Sequence, residues 1–195
     1  QVMTGAIGYT YKYDNMDEQI YPYQNAVVVD KKCEFISRPI KKSKLLECVH
    51  GRVVLNKGDY YLIDLGKETV GLANFSFISN TEQKIRVDWG EDLQNGHVRR
   101  QIEHRDFSFD YIAKKGENIF TNYMLRLGCR YLEIYAEEPI ELKYAGLIPQ
   151  VYPAKEKQVK LDNALDQEIY DACVNTLKLC MMEHYVDTPW REQCL

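Results

Sequence analysis

Alternation with a period of two runs through the middle of the chain. Phe75 and Phe77, then Ile85, Val87 and Trp89, are each separated by one residue. Successive strand side chains point to opposite faces, so this spacing predicts a sheet with one buried face. Strands are expected over 53–55, 60–65, 70–78, 84–89, 107–113, 118–123, 131–135 and 141–144. Turn chemistry separates them: Asn56-Lys57-Gly58-Asp59, Gly66, Asn80-Thr81-Glu82, Gln94-Asn95-Gly96, Lys114-Lys115-Gly116 and Glu137-Glu138-Pro139. Strands recurring with such turns predict a mainly β fold, an antiparallel β-sandwich of jelly-roll-like type.

The period then changes. Leu165, Ile169, Ala172, Cys173, Thr176, Leu177, Cys180 and Met181 recur at steps of one, three and four, as on the apolar face of a helix. Asp162 or Asn163 can cap its start, and its end is expected near Glu183-His184, before Pro189. A lone helix cannot bury its apolar face, so this one is read as the first helix of a larger α-helical domain. The chain thus divides into residues 1–50, a tail of a preceding module or an N-terminal extension; 51–150, the sandwich; 151–161, a linker; and 162–195, the start of a truncated helical domain. Gln1 at one end and Leu195 directly after a charged cluster at the other give the same expectation, an internal piece of a longer protein.

Composition narrows the function classes. The 195 residues carry 25 Lys and Arg against 29 Asp and Glu, a net charge of −4. No nucleic-acid partner is expected from that balance, nor from the three lysines at 41, 42 and 44, read as a solvated connection. No apolar run reaches the length of a membrane span, so no membrane partner is expected either. The 15 tyrosines suit a half-buried sheet surface. The six cysteines contain no CxxC pair, and no tight His/Cys grouping suggests a metal; reduced thiols are expected, with Cys173 and Cys180 both buried on the helix. No cofactor is expected, the location is read as cytoplasmic with secretion left open, and so is a homodimer.

The chemistry concentrates at Asp187-Thr188-Pro189-Trp190-Arg191-Glu192-Gln193. Pro189 stops the helix, and Asp187 and Glu192 are spaced so that one loop can turn both toward one pocket. A guanidinium between carboxylates keeps one ionised, while an apolar Trp wall raises the pKa of another. Carboxylates and Arg hold sugar hydroxyls, and Trp stacks on a sugar face. The plain alternative is a charged helix-end loop with an Arg–carboxylate pair. Other candidates read as structural: His104 in a charged loop, His184 at the helix end, Glu91 in a turn. Cys194 with His184 lacks a third orienting group, and the sequon Asn74-Phe75-Ser76 falls inside a strand.

This cluster resembles a known family. Asp187-x-Pro189-x-Arg191-Glu192 is similar to the D-x-P-x-R-(D)-E signature of glycoside hydrolase family 78, the bacterial α-L-rhamnosidases. Three sandwich segments share the resemblance: Asp64-Leu65-Gly66 with Gly71, Gly90-Glu91-Asp92-Leu93 with Gly96, and Arg130-Tyr131-Leu132. The resemblance covers about residues 52–195. It implies that the helix opens an (α/α)₆ catalytic barrel. It implies Glu192 as the general acid, and Asp187, Arg191 and Trp190 as groups around the sugar. Many members read Arg-Asp-Glu where this chain has Arg191-Glu192-Gln193. It further implies an inverting hydrolysis of terminal α-L-rhamnosides, with rhamnose-containing glycosides or oligosaccharides as partners and the base outside this chain. The fragment itself is then expected to be inactive. The competing reading is a carbohydrate-binding or purely structural sandwich of a multidomain carbohydrate-active protein.

Overall fold

A computed structural model describes residues 3–4, 8–9, 12–16, 24–103, 105–184 and 186–189. A two-residue hairpin pairs Met3–Thr4 with Gly8–Tyr9. The main sheet system then comprises β1 (Lys12–Asp14), β2 (Lys44–Leu45), β3 (Val49–His50), β4 (Arg52–Asn56), β5 (Tyr60–Ser79), β6 (Gln83–Gly90), β7 (Ser108–Ala113), β8 (Gly116–Ala136) and β9 (Ile140–Val151). One helix, α1 (Ala164–Leu179), follows.

Hydrogen bonds connect the strands in the order β1-β7-β6-β8-β5-β9-β2, with β3 also on β9 and β4 on β5. All these pairs are antiparallel except β1 with β7, which is parallel. The nine strands form two layers because β5 and β8 are long and change partners along their length. The first half of β5 lies between β4 and the second half of β8, which also pairs with β6. Its second half lies between the first half of β8 and β9. Register shifts in β8 at Thr121/Arg126 and Cys129/Tyr131 mark where the sheet bends from one layer into the other.

The expected breaks at 66–69 and 124–130 are therefore bends in continuous strands. Gly66 has φ +83°, a left-handed conformation that costs glycine little. Its N–H donates to Asp64 Oδ1 at 2.8 Å, and Arg130 clamps the same carboxylate through Nε and Nη2 at 2.9 and 3.2 Å. These hydrogen bonds hold the Asp64 carboxyl below its ordinary range, the Arg130 bond first among them. The Asp64-Leu65-Gly66 and Arg130-Tyr131-Leu132 motifs are thus two sides of one bulge. Gly71 serves a different need. A Cβ there would run into the Ile148 carbonyl, so the β5–β9 approach requires a glycine.

Between the layers lies one apolar core. Tyr61, Ile63, Ile85, Val87, Trp89, Phe109, Tyr111, Leu132 and Ile134 face it from the first layer. Ala73, Phe75, Phe77, Phe120, Ala145 and Leu147 face it from the second. Aromatic edges join the two: Phe75 and Phe77 meet Tyr111 at 5.4 and 5.9 Å with near-perpendicular rings. Two of the asparagines admitted inside are paired, whereas Trp89 Nε1 and Asn122 Nδ2 find no partner among the described residues. Asn74, the sequon residue, donates to Phe120 O and Thr121 Oγ1. Asn118 accepts from Tyr111 and donates to the Lys114 and Gly116 carbonyls, locking the β7–β8 turn.

Helix α1 differs in kind. Asn163 caps it as expected, accepting from Leu165 N and Asp166 N. It ends at Leu179, short of Glu183-His184, with Cys180 as C-cap. No residue between its ends is buried; Leu165, Ile169 and Leu177 are exposed. Cys173, expected inside, is exposed, whereas Cys180 is buried. The reason is that no described element packs on the helix face carrying Cys173. No helix among the described residues is long and apolar enough to cross a membrane.

Candidate functional site

The bend of the sandwich and the end of α1 meet at one place, and the acidic loop lies there. After Leu179 the chain curls back: Val186 N donates to Cys180 O at 3.0 Å, and Cys180 Sγ approaches Asp187 O at 3.9 Å. Val186 is buried, so this turn carries its own apolar plug. Asp187 follows, exposed, with Thr188 and Pro189 partly covered.

Arg126 reaches this turn from the irregular stretch of β8. It is 8% exposed. Its Nη2 donates to Leu179 O at 2.7 Å and its Nη1 to Pro189 O at 3.3 Å. The first acceptor is a terminal carbonyl of α1, where the helix dipole favours a cation. The second lies inside the Asp187–Pro189 segment. Burial lowers the guanidinium to about 10, so it stays charged near neutrality. Its Nε is buried without an acceptor among the described residues.

Acidic groups line the sandwich side of the junction. Glu68, in the β5 bend, is pushed up to about 8, first by burial and then by the charge of Glu91. Its carboxyl is thus largely protonated at neutral pH. Glu91 also raises the Cys129 and Cys180 thiols, in each case after burial. Glu91 opens the Gly90–Gly96 segment, whose hairpin pairs Leu93–Gln94 with His97–Val98. Asn95 and Gly96 both have positive φ, the type I′ geometry expected of Asn-Gly. Beside it a shallow cleft of about 10 Å³ is lined by Glu91, Asp92, Arg99, Ile102 and Phe107.

A strap crosses the other side. Arg38 pairs with Glu183, which also accepts from Ser43 N at 3.0 Å. Both contacts help hold the Glu183 carboxyl low, the Ser43 N–H most of all. Lys41 Nζ donates to Pro153 O at 3.4 Å, while Lys41, Lys42 and Lys44 all remain exposed, in keeping with a solvated connection. Between strap, linker and helix end lies a cavity of about 150 Å³, lined by Ile40, Tyr152, Met181, Met182, Glu183 and His184.

A second polar cluster sits on the outer face of the first layer. Glu133, 1% exposed, accepts from Tyr60 and Tyr135 at 2.5 and 3.0 Å and lies 2.9 Å from His97 Nδ1. Asp88, its cross-strand neighbour, is raised to about 6 by burial against the pull of Arg86. Every member is tied to another by a hydrogen bond or a cross-strand contact. This is a buried polar network that fixes strand register.

Of the expected site residues, Asp187 is placed at the junction, on the loop that follows α1. Trp190, Arg191 and Glu192 lie outside the described residues, as do His104 and Cys194. His184 is exposed beside the cavity. Arg126 was not legible from sequence, because it falls in the expected break between the strands 118–123 and 131–135, where an Arg reads as a surface residue. Its partners are backbone carbonyls 53 and 63 residues away. Among the described residues no group of three or more His, Cys, Asp or Glu is arranged to hold a metal ion.

The family described as bacterial alpha-L-rhamnosidase concanavalin-like domain matches residues 55–150, the sandwich. Among solved structures, the chain resembles a rhamnosidase of glycoside hydrolase family 78 from Bacillus sp. GL1. The identity is 25% and the TM-score 0.62, over 80% of this chain and 16% of that one. An α-L-rhamnosidase of Streptomyces avermitilis, solved with L-rhamnose, matches at 17% identity and TM-score 0.63, over 77% of this chain and 15% of that one. A rhamnosidase from Klebsiella oxytoca with rhamnose bound matches at 19% identity and TM-score 0.55, over 72% and 31%. The chain therefore spans less than a third of the length of each. No curated protein matches it.

Proposed function

We propose that this chain, whose residues 55–150 match the concanavalin-like domain of the bacterial α-L-rhamnosidases, forms the sandwich and first catalytic-domain helix of an inverting glycoside hydrolase. The longer protein carrying it releases terminal α-L-rhamnose from glycosides. One observation carries the reading beyond the sandwich. The segment Asp187–Pro189 directly follows α1 and sits against the sandwich bend, on a chain that aligns with rhamnosidases over 80% of its length.

In this reading Glu192 is the general acid. It protonates the glycosidic oxygen as the bond to the anomeric carbon breaks. A carboxylate base, supplied by the longer protein, takes a proton from water attacking the opposite face. The two carboxyls are expected about 6.5–9.5 Å apart, leaving room for that water. Asp187 and Arg191 bind sugar hydroxyls, and Trp190 packs on the ring. The sandwich supports the catalytic domain rather than binding sugar itself; Trp89 is 2% exposed and serves the core. This chain alone is inactive, because it holds the acid without the base.

The test is p-nitrophenol release from p-nitrophenyl α-L-rhamnoside by the longer protein, its Glu192→Gln variant and this chain. The expected result is full activity in the longer protein, none in this chain, and a Glu192→Gln loss that is much larger on alkyl rhamnosides than on this nitrophenyl one. A silent longer protein removes the substrate assignment. A Glu192→Gln variant at wild-type rate, on this substrate and on alkyl rhamnosides, removes the acid assignment.

A further inference from the structure

We propose that Arg126 is a positioning residue: through the Leu179 and Pro189 carbonyls it hangs the acid-bearing loop on the sandwich. This rests on the reading of Glu192 as general acid. The geometry is specific. One guanidinium, nearly buried, bonds both the end of α1 and the loop ten residues further on. The turn between is closed by Val186 N–H on Cys180 O, with Val186 buried. Pro189, whose carbonyl Arg126 holds, precedes Glu192 by three residues in the sequence. Arg is required for its shape. Its planar fork spans two divergent acceptors, which a single ammonium does not. A proton donor about 1 Å out of place can lose on the order of 100-fold in rate.

The discriminating measurement is dependence on the leaving group. Nitrophenolate departs with little help from an acid, whereas an alkoxide needs a proton. In the longer protein, Arg126→Gln is expected to lose on the order of 30-fold or more in kcat on methyl α-L-rhamnoside. Its loss on p-nitrophenyl α-L-rhamnoside is expected to be only several-fold, with KM little changed in both, as general-acid steps contribute ~10²–10⁴. Arg126→Lys, which keeps the charge and can reach one carbonyl, falls between. Equal losses on both substrates, or none, overturn the proposal. Should Arg126→Gln not fold, Arg126→Lys alone gives the same contrast at smaller amplitude, and its absence counts against the proposal.

Amide exchange at Val186 gives a readout independent of turnover. It is expected to quicken in either variant, and unchanged exchange overturns the proposal even if rhamnosides are not the substrate. Glu192→Gln judges the underlying reading separately. If it shows no leaving-group contrast while Arg126→Gln quickens Val186 exchange, the acid assignment fails and the anchoring of the loop stands.

Discussion

The sandwich and helix α1 share a chain and are stabilised in opposite ways. The sandwich buries two faces against each other, with Phe77, Ile63, Ile85 and Tyr111 fully enclosed. The helix buries nothing between its caps. What holds it lies at its ends: Asn163 at the start, the Gln167 side chain on Leu161 N and Val159 O, Lys178 on Glu156, and Arg126 at Leu179. Burial of apolar area is the dominant favourable term in folding, so the first region supplies its own stability and the second borrows it. The acidic loop follows the borrower, and among its described links to the sandwich is the Arg126 guanidinium on Pro189 O.

The contrast can be broken most severely from the sandwich side. Phe77→Ala removes a ring from the centre of the core and is expected to cost about 3–5 kcal/mol, read by urea unfolding followed through Trp89 fluorescence. A cost below about 1 kcal/mol would mean that the layers are not packed as described.

A subtler effect tests the junction. The Glu68 carboxyl lies near 8 in the folded chain and at 4.5 unfolded. The folded state thus binds the extra proton, so this group's contribution is present below pH 4.5 and is lost as pH rises toward 8. Replacing it with a neutral isostere removes that loss. Glu68→Gln is expected to flatten the decline of Tm between pH 5 and 8 and to exceed the wild-type Tm at pH 8. A parallel pair of Tm curves would show that Glu68 is ionised and solvated.

Helix substitutions sharpen the other side. Asn163→Ala removes two accepted N–H bonds and is expected to cost about 1 kcal/mol of helix stability, visible as lost helical circular dichroism with the sandwich transition unmoved. Ile169→Ala, at an exposed apolar position, is expected to change stability by less than about 0.5 kcal/mol in this chain. In a longer protein that covers the helix, the same substitution is expected to cost about 2–5 kcal/mol, as for a core residue.

Local signals were readable where neighbours in sequence are neighbours in space. The alternation at Phe75–Phe77 and Ile85–Trp89, the Asn95-Gly96 turn and the Asn163 cap depend on residues within a few positions. Their outcome was legible without the fold. Two kinds of feature were not. Strand breaks placed at Gly66 and near Leu125 are bends, because cross-strand pairing to β8, β6 and β9 continues the ladder past residues that locally signal a turn. Cys173 carries the helical period yet is exposed, because period marks a face and only a packed neighbour buries it.

The candidate site divides along the same line. Asp187, Pro189, Arg191 and Glu192 were found as a motif, since their significance lies in their spacing. Arg126 and Glu68 belong to the junction only through contacts spanning tens of residues. An Arg and a Glu in expected turns read as surface until the folded strands bring Arg126 to the helix end and Glu68 close to Glu91. By itself, then, the sequence determined the β-sandwich, its turns, the switch to a helix and the acidic loop after it. All of these follow from local propensity and the period of burial. Only the tertiary structure decided that β5 and β8 run through both layers. It also decided that Asp64 and Arg130 lock one bulge, and that one buried guanidinium ties the loop to the sandwich. Such contacts join residues far apart in the chain, and no local rule encodes which distant carbonyl a side chain will meet.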